Sequence, residues 1–434
     1  MNKKKIFFAA QNLNIGGVQK AFINYIKKLS KSEEYEITVF SFAGGALTDK
    51  LPEDVKLKLG GRLLRLSATP FNDIKEKGGI TDIFLRIFIT AIAKIVGANT
   101  FYRLCFKKQK KKYDTAVSYF TDTPSGVFNK GTNLYVSEFT EASVKEAFIH
   151  TDPVFGGFDM EYCRKIYKPF DKIVCVSDAV REKFNAMLPE YAYKTETRHN
   201  VFDEEEIQTL SLEFIPFEKS KFDIVTVARV DNASKRIDGI IDICSRLKKM
   251  GVSGFKWRIV GDGPDKNKDI LLANRMGVDD VIIFEGEKAN PYPYIEKSDL
   301  FALFSAYEGY PLVIGEAMIL KTPILTTNYA AAKEQIPKDI GIIAESDGEF
   351  IKMLYTLIDK RGFYYTTGKA VCIYIYFKIT QRKEVKRDEK NKEVFFNPFS
   401  YCDDFGYEYD GFCRTQYHCD RNPILCSALR YSYG

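Results

Sequence analysis

No segment of the 434-residue chain runs for 18 or more apolar residues, so no membrane-crossing helix is expected. The apolar stretch near the N-terminus, Ile6–Ala10, is only five residues long. That is too short for the core of a signal peptide, and it reads better as a first buried strand. With no export signal, the expected location is the cytoplasm. The nine cysteines include no Cys-x-x-Cys pair, so neither a zinc ribbon nor a disulfide framework is indicated. Histidine is scarce, with three in the whole chain, which leaves few positions for imidazole chemistry.

What is present describes a folded protein of more than one core. Apolar residues make up 45% of the chain and aromatics 14%, which excludes a disordered chain. The length suggests two domains and an extra segment. Charge is unevenly spread. Residues 1–200 carry a net +10, residues 201–362 a net −6 and residues 363–434 a net +2. An anionic partner would therefore be drawn to the first half.

The chain is organised around Ser305–Met318, S-A-Y-E-G-Y-P-L-V-I-G-E-A-M. The apolar run before it reads as a strand, and Pro311 suits a helix start because its φ is preset. Strand, turn and helix would place Glu308 at a strand's carboxyl end and Glu316 one to two turns into the helix. Free amides at that helix start favour an anion, a phosphate above all.

Elsewhere, strands and helices alternate, which implies parallel sheets covered on both faces. Gly16 and Gly17 stand at the first strand-to-helix turn. Glycine there allows a positive φ or a close approach of ligand to backbone, or marks a plain turn. Val18, Phe22, Ile26 and Leu29 then recur at helical spacing. Residues 80–112 hold an apolar helix of about 17 residues and then a basic cluster, with eight Lys/Arg against one acid. Two readings stay open: an interfacial element for an anionic membrane, or a core helix with a solvated basic end. No nucleic-acid reader motif surrounds the basic run, and no nucleic-acid partner is expected. His150 falls at an expected strand end, where a structural and a chemical role both fit. Arg229 and Lys235 sit on the loop after the strand at 222–228. A guanidinium and an ammonium there could grip a diphosphate, or be two solvated cations.

In this order the motifs resemble those of family 4 glycosyltransferases, over about residues 3–361. The segments that carry the resemblance are Gly16–Gly17, A-F-I-H-T-D at His150, V-S-D-A-V-R-E-K-F from Val176, A-R-V-D-N-A-S-K from Ala228, V-G-D-G-P from Val260, and the two glutamates. The resemblance implies an α/β protein of the GT-B fold, two Rossmann-like domains facing a cleft. It also implies a retaining transfer of a hexose-type sugar from a nucleotide-diphosphate donor to a glycan or lipid-linked acceptor, in cell-surface polysaccharide synthesis. Glu308 and His150 would lie at the donor sugar. Arg229 and Lys235 would hold the diphosphate, with Gly16, Gly17 and the amides of Leu312 and Val313 near it. Glu316 would accept from the ribose hydroxyls, and Glu287 or Lys288 would lie near the base. The loop after Arg229 is one residue longer than the family's pattern, so Lys235 and Arg236 compete for the reach to the diphosphate. No Asp-x-Asp triplet occurs, so a bridging metal is not suggested and no cofactor is expected.

The expected domains are 1–200 and 222–362, with a linker at 201–221. Residues 363–434 form an aromatic, cysteine-rich tail to which the resemblance does not extend. Cys413, Cys419, Cys426 and His418 match no structural zinc spacing there. A peripheral position on the inner membrane face accompanies the cytoplasmic expectation. A nucleotide-sugar-binding protein without turnover, or a GT-B epimerase, are the alternatives.

Overall fold

The computed structural model describes residues 3–123, 126–128 and 130–359. The tail expected at 363–434, with its cysteines and His418, lies outside the described residues.

The first sheet contains β1 (Lys4–Ala10), β2 (Tyr35–Ser41), β3 (Lys56–Leu59), β4 (Lys112–Ser118), β5 (Glu141–Ile149), β6 (Lys172–Cys175) and β7 (Thr195–Thr197). Its order is β3-β2-β1-β4-β5-β6-β7, and all neighbours are parallel. Side chains of a strand point alternately to the two faces. Phe7 and Ala9 accordingly enter one core cluster, and Ile6, Phe8 and Ala10 the other. The second sheet contains β8 (Phe222–Val227), β9 (Phe255–Val260), β10 (Ile282–Gly286), β11 (Leu300–Leu303), β12 (Ile324–Thr327) and β13 (Gly341–Ala344). Its order is β10-β9-β8-β11-β12-β13, again all parallel. Here Leu300 and Ala302 face one cluster, and Phe301 and Leu303 the other. Both faces of both sheets are thus buried, as parallel sheets require.

The winding reverses between β1 and β4 in the first sheet and between β8 and β11 in the second. At such a reversal the flanking loops diverge and leave a crevice at the strand carboxyl ends, where open α/β sheets bind ligands.

Two elements add detail to the sequence expectation. Residues 201–221, read as a linker, contain the helix Glu204–Ser211, started by Asp203, whose carboxylate accepts from the Glu206 amide at 3.2 Å. Ile207 of this helix is buried in the second sheet's cluster with Tyr292 and Ile314. An N-cap aspartate followed by three glutamates is a helix start that the acidic composition masked. The helix Ile80–Val96 has apolar residues on two opposite faces. Ile89 and Ala93 are buried, whereas Ile80, Phe84, Ile87 and Ile95 are exposed. Arg86 does not supply a polar face, because its guanidinium lies over the Phe128 ring, 4.5 Å from the centroid.

Candidate active site

The β8–β11 reversal gathers the first group of residues. Past β8 the chain passes Arg229 and enters the short helix Asn232–Lys235, capped by Asp231, which accepts from the Ala233 amide at 3.2 Å. Lys235 then forms an ion pair with Glu308, which follows β11 and is largely buried. The Ser305 hydroxyl donates to the same Glu308 oxygen at 2.7 Å. Glu308 is therefore held from two sides. Arg236 turns away: its φ of 52° is left-handed, and its guanidinium reaches Asp347 at 3.1 Å and lies over Phe304 at 4.1 Å. The extra loop residue thus aims Lys235, not Arg236, at the crevice. Arg229 is exposed, and among the described residues it makes no ion pair.

The helix Leu312–Ile319 follows Pro311 and carries Glu316. Leu312 and Val313 are its first two residues, where amides lack partners within the helix. Glu316 is 2% exposed. Its partner comes from the other domain: Lys20, on the helix Gly17–Ser30, places Nζ 2.7 Å from Glu316 Oε1. The Lys20 amine also lies 4.3 Å from the centroid of the Tyr292 ring. Burial by itself pulls the Lys20 pKa down, but Glu316 and Tyr292 outweigh it and the net shift is upward. Sequence reasoning missed both Lys20 and Tyr292. Neither carries a signal in the sequence, because Lys20 reads as one more lysine on an amphipathic helix.

The first domain presents His150 at the end of β5. Its Nε2 lies 2.8 Å from the Tyr119 carbonyl, and its amide donates to Thr121 Oγ1 at 2.8 Å. A carbonyl only accepts, so Nε2 carries the proton and Nδ1 is the acceptor. Burial pushes the imidazole down to about 4, against a smaller upward effect of that carbonyl. His150 is therefore neutral near pH 7 and does not act there as an imidazolium acid. Gly16 and Gly17 show no positive φ. Gly16 is extended at 175°, and a Cβ on Gly17 would meet open space. The conformational reason for glycine at this pair is thus absent. Lys288 is half-buried, its amine 5.8 Å from the Tyr294 ring centroid. Glu287 lines a cavity of about 830 Å³ together with Asn14, Gly44, Arg62 and Arg65 of the first domain.

The two domains meet directly at the glutamate motif. A Cβ on Gly309 would stand 2.2 Å from the His150 carbonyl oxygen, so only glycine permits that approach. The Ser177 hydroxyl donates to the Gly309 carbonyl at 3.1 Å, and the Asn200 amide group to the Tyr310 carbonyl at 2.9 Å. Glu334 of the second domain accepts from the Asp178 and Ala179 amides at 2.8 and 3.2 Å, at the start of the first-domain helix Asp178–Met187. His150, Lys235, Glu308 and Glu316 are in this way gathered along one cleft.

Comparison with known proteins agrees with this geometry. The family described as Glycosyl transferases group 1 matches residues 221–360. The matched segment starts one residue before β8 and ends one residue past the helix Asp347–Asp359. Among relatives of the chain, the N-acetylgalactosamine-N,N'-diacetylbacillosaminyl-diphospho-undecaprenol 4-alpha-N-acetylgalactosaminyltransferase of Campylobacter jejuni is 26% identical over 225 residues, 51% of this chain and 59% of that one. The N-acetyl-alpha-D-glucosaminyl L-malate synthase of Bacillus anthracis is 32% identical over 112 residues, 26% of this chain and 29% of that one. The chain thus aligns with well under two thirds of either relative. In fold it is similar to Anabaena HepE, solved with UDP and glucose, at a TM-score of 0.59 and 17% identity, covering 89% of this chain and all of that one. The fold is GT-B, with the matched segment as its second half.

Proposed function

We propose that the chain is a retaining glycosyltransferase that moves a hexose-type sugar from a nucleotide-diphosphate donor to a glycan or lipid-linked acceptor in cell-surface polysaccharide synthesis. The observation that carries the reading is the Lys235–Glu308 pair at the β8–β11 reversal, next to buried Glu316 and across from His150. The names of the relatives support the same reading.

In this reading the bond from the anomeric carbon to the diphosphate oxygen breaks, the acceptor hydroxyl oxygen takes its place, and the proton of that hydroxyl passes to the leaving diphosphate. Negative charge develops on the leaving diphosphate. Lys235, held in place by Glu308, and exposed Arg229 meet that charge without a metal, and the Leu312 and Val313 amides add to them. Glu308, oriented by Lys235 and Ser305, and neutral His150 hold the sugar hydroxyls. Glu316 takes the ribose.

The acceptor side of the proposal includes contact with an anionic membrane from the cytoplasmic side. The exposed stripe of the helix Ile80–Val96 supports it. Ile80 and Ile95 are 72% and 84% exposed, and Lys75, Lys77, Lys107 and Lys108 flank the stripe in sequence, all exposed. Apolar residues on one face with lysines around them suit an anionic bilayer surface. A self-dimer through this face would bring the same cations together.

The test is a thermal-shift screen of the full chain against UDP, GDP, ADP and their sugar conjugates, with and without EDTA. A folded-state ligand raises the melting temperature. Stabilisation by one nucleotide, unaffected by EDTA, is expected. No stabilisation by any of them would overturn the donor site, and stabilisation abolished by EDTA would overturn its metal independence.

A further inference from the structure

Glu316 lies on a second-domain helix, is 2% exposed, and is neutralised from the first domain by Lys20. A buried carboxylate without a counter-charge is costly, because the ion loses its hydration and gains nothing in return. Among the described residues no cation of the second domain is paired with Glu316. The carboxylate that the transferase reading assigns to the ribose therefore has its counter-charge only when the first domain is in place. The pair also has direction. Lys20 places its amine 2.7 Å from Oε1, and the amine is steadied by the Tyr292 ring. Among the described residues no hydrogen bond is recorded to Oε2, which is therefore the acceptor of the carboxylate open to a ligand.

We propose that Lys20 is a positioning residue for the donor. It fixes Glu316 across the cleft so that Oε2 is presented to the ribose hydroxyls, and it thereby ties recognition of the ribose to the approach of the two domains. This rests on the transferase reading above. Lys20 does not touch the reacting atoms; it acts through Glu316. An ammonium with three donors can hold a carboxylate and an aromatic face together, and arginine keeps the charge while glutamine removes it.

The test compares UDP with 2′,3′-dideoxy-UDP by isothermal titration calorimetry on the full chain, with GDP and its dideoxy analogue as a second pair. A hydrogen bond to a charged group is worth about 1.5–3 kcal/mol, so the wild type should prefer the ribonucleotide by about tenfold or more. Lys20→Gln should shrink that preference to about threefold or less, and Lys20→Arg should retain most of it. Lys20→Arg should keep the ligand-free melting temperature near the wild-type value, whereas Lys20→Gln should lower it because Glu316 loses its counter-charge; the ratio of the two affinities, read on folded protein, does not depend on that loss. If Lys20→Gln weakens both ligands equally and keeps the preference, Lys20 is merely structural and the proposal is overturned while the donor reading stands. If the wild type binds neither UDP nor GDP, the donor reading falls first and this one with it.

Discussion

Glu308 and Glu316 keep different company, and that separates what their loss should do. Glu308 is pinned by Lys235 and Ser305 at the strand end, where the sugar and the leaving group would meet. Glu308→Gln should lower turnover by about 10²-fold or more and change nucleotide affinity little. Glu316→Ala should instead weaken nucleotide binding by about tenfold or more. Parallel measurements of kcat and of nucleotide Kd distinguish them; equal effects on both quantities in both variants would sink the assignment. His150 allows a pH test. Burial holds its native pKa at about 4 against the usual 6.5, so between those values the unfolded chain binds the extra proton. Its stabilising contribution is then complete above pH 6.5 and is lost on acidification toward pH 4. Buried Asp122, pushed up to about 6, works in the opposite sense between 3.8 and 6. The comparison is therefore between proteins: His150→Asn should lose less stability than the wild type between pH 7 and pH 5 in denaturant titrations. At this scale the sequence revealed residues whose neighbours in the chain betray them, such as Glu308 beside Gly309 and Pro311. Lys20 was illegible, because its meaning comes from a carboxylate 296 positions away.

Elements show a similar limit. Strands buried on both faces read clearly, since each is a short apolar run, and the two reversals of winding follow from their order. The helix Ile80–Val96 could not be assigned to core or surface from its composition, because one face is buried and the opposite face is exposed. Phe84 and Phe88 are 68% and 60% exposed, so replacing both with serine should leave the fold intact. The double variant should sediment less with vesicles containing phosphatidylglycerol than the wild type does, as should replacement of Lys107, Lys108, Lys110, Lys111 and Lys112 by glutamine. Each cation near such a surface contributes about 1 kcal/mol, so the lysine variant should also lose the salt sensitivity of binding. Unchanged sedimentation in both would reject the membrane contact, and a concentration-dependent rise in mass in solution would point to a second copy on this face instead. The helix at Glu204–Ser211 was hidden for another reason: its acidic first turn looks like a solvated charge run until the Asp203 cap is recognised.

For the whole molecule, the sequence implied two α/β halves and a cleft, but not how the halves hold each other. Glu334 is the clearest case. It completes the start of the helix Asp178–Met187 across the cleft and also accepts from His199 Nε2 at 2.6 Å. Opening the cleft leaves the Ser177 cap in place but takes the Glu334 acceptor from the Asp178 and Ala179 amides, which costs about 1 kcal/mol. Glu334→Ala should therefore favour the open arrangement and raise the radius of gyration in small-angle scattering; an unchanged radius would show that other contacts set the angle. Leu312 extends the same theme. It stands within the glutamate motif of the second domain, yet its side chain is buried in the cluster of Phe8, Phe22 and Phe120 in the first. The two halves are thus unsuited to separate expression. A fragment that begins at Asp203 would carry Leu312 into solvent, and a fragment that ends there would keep an open socket in its core. A genetic cut at the cleft would divide one protein into two incomplete ones.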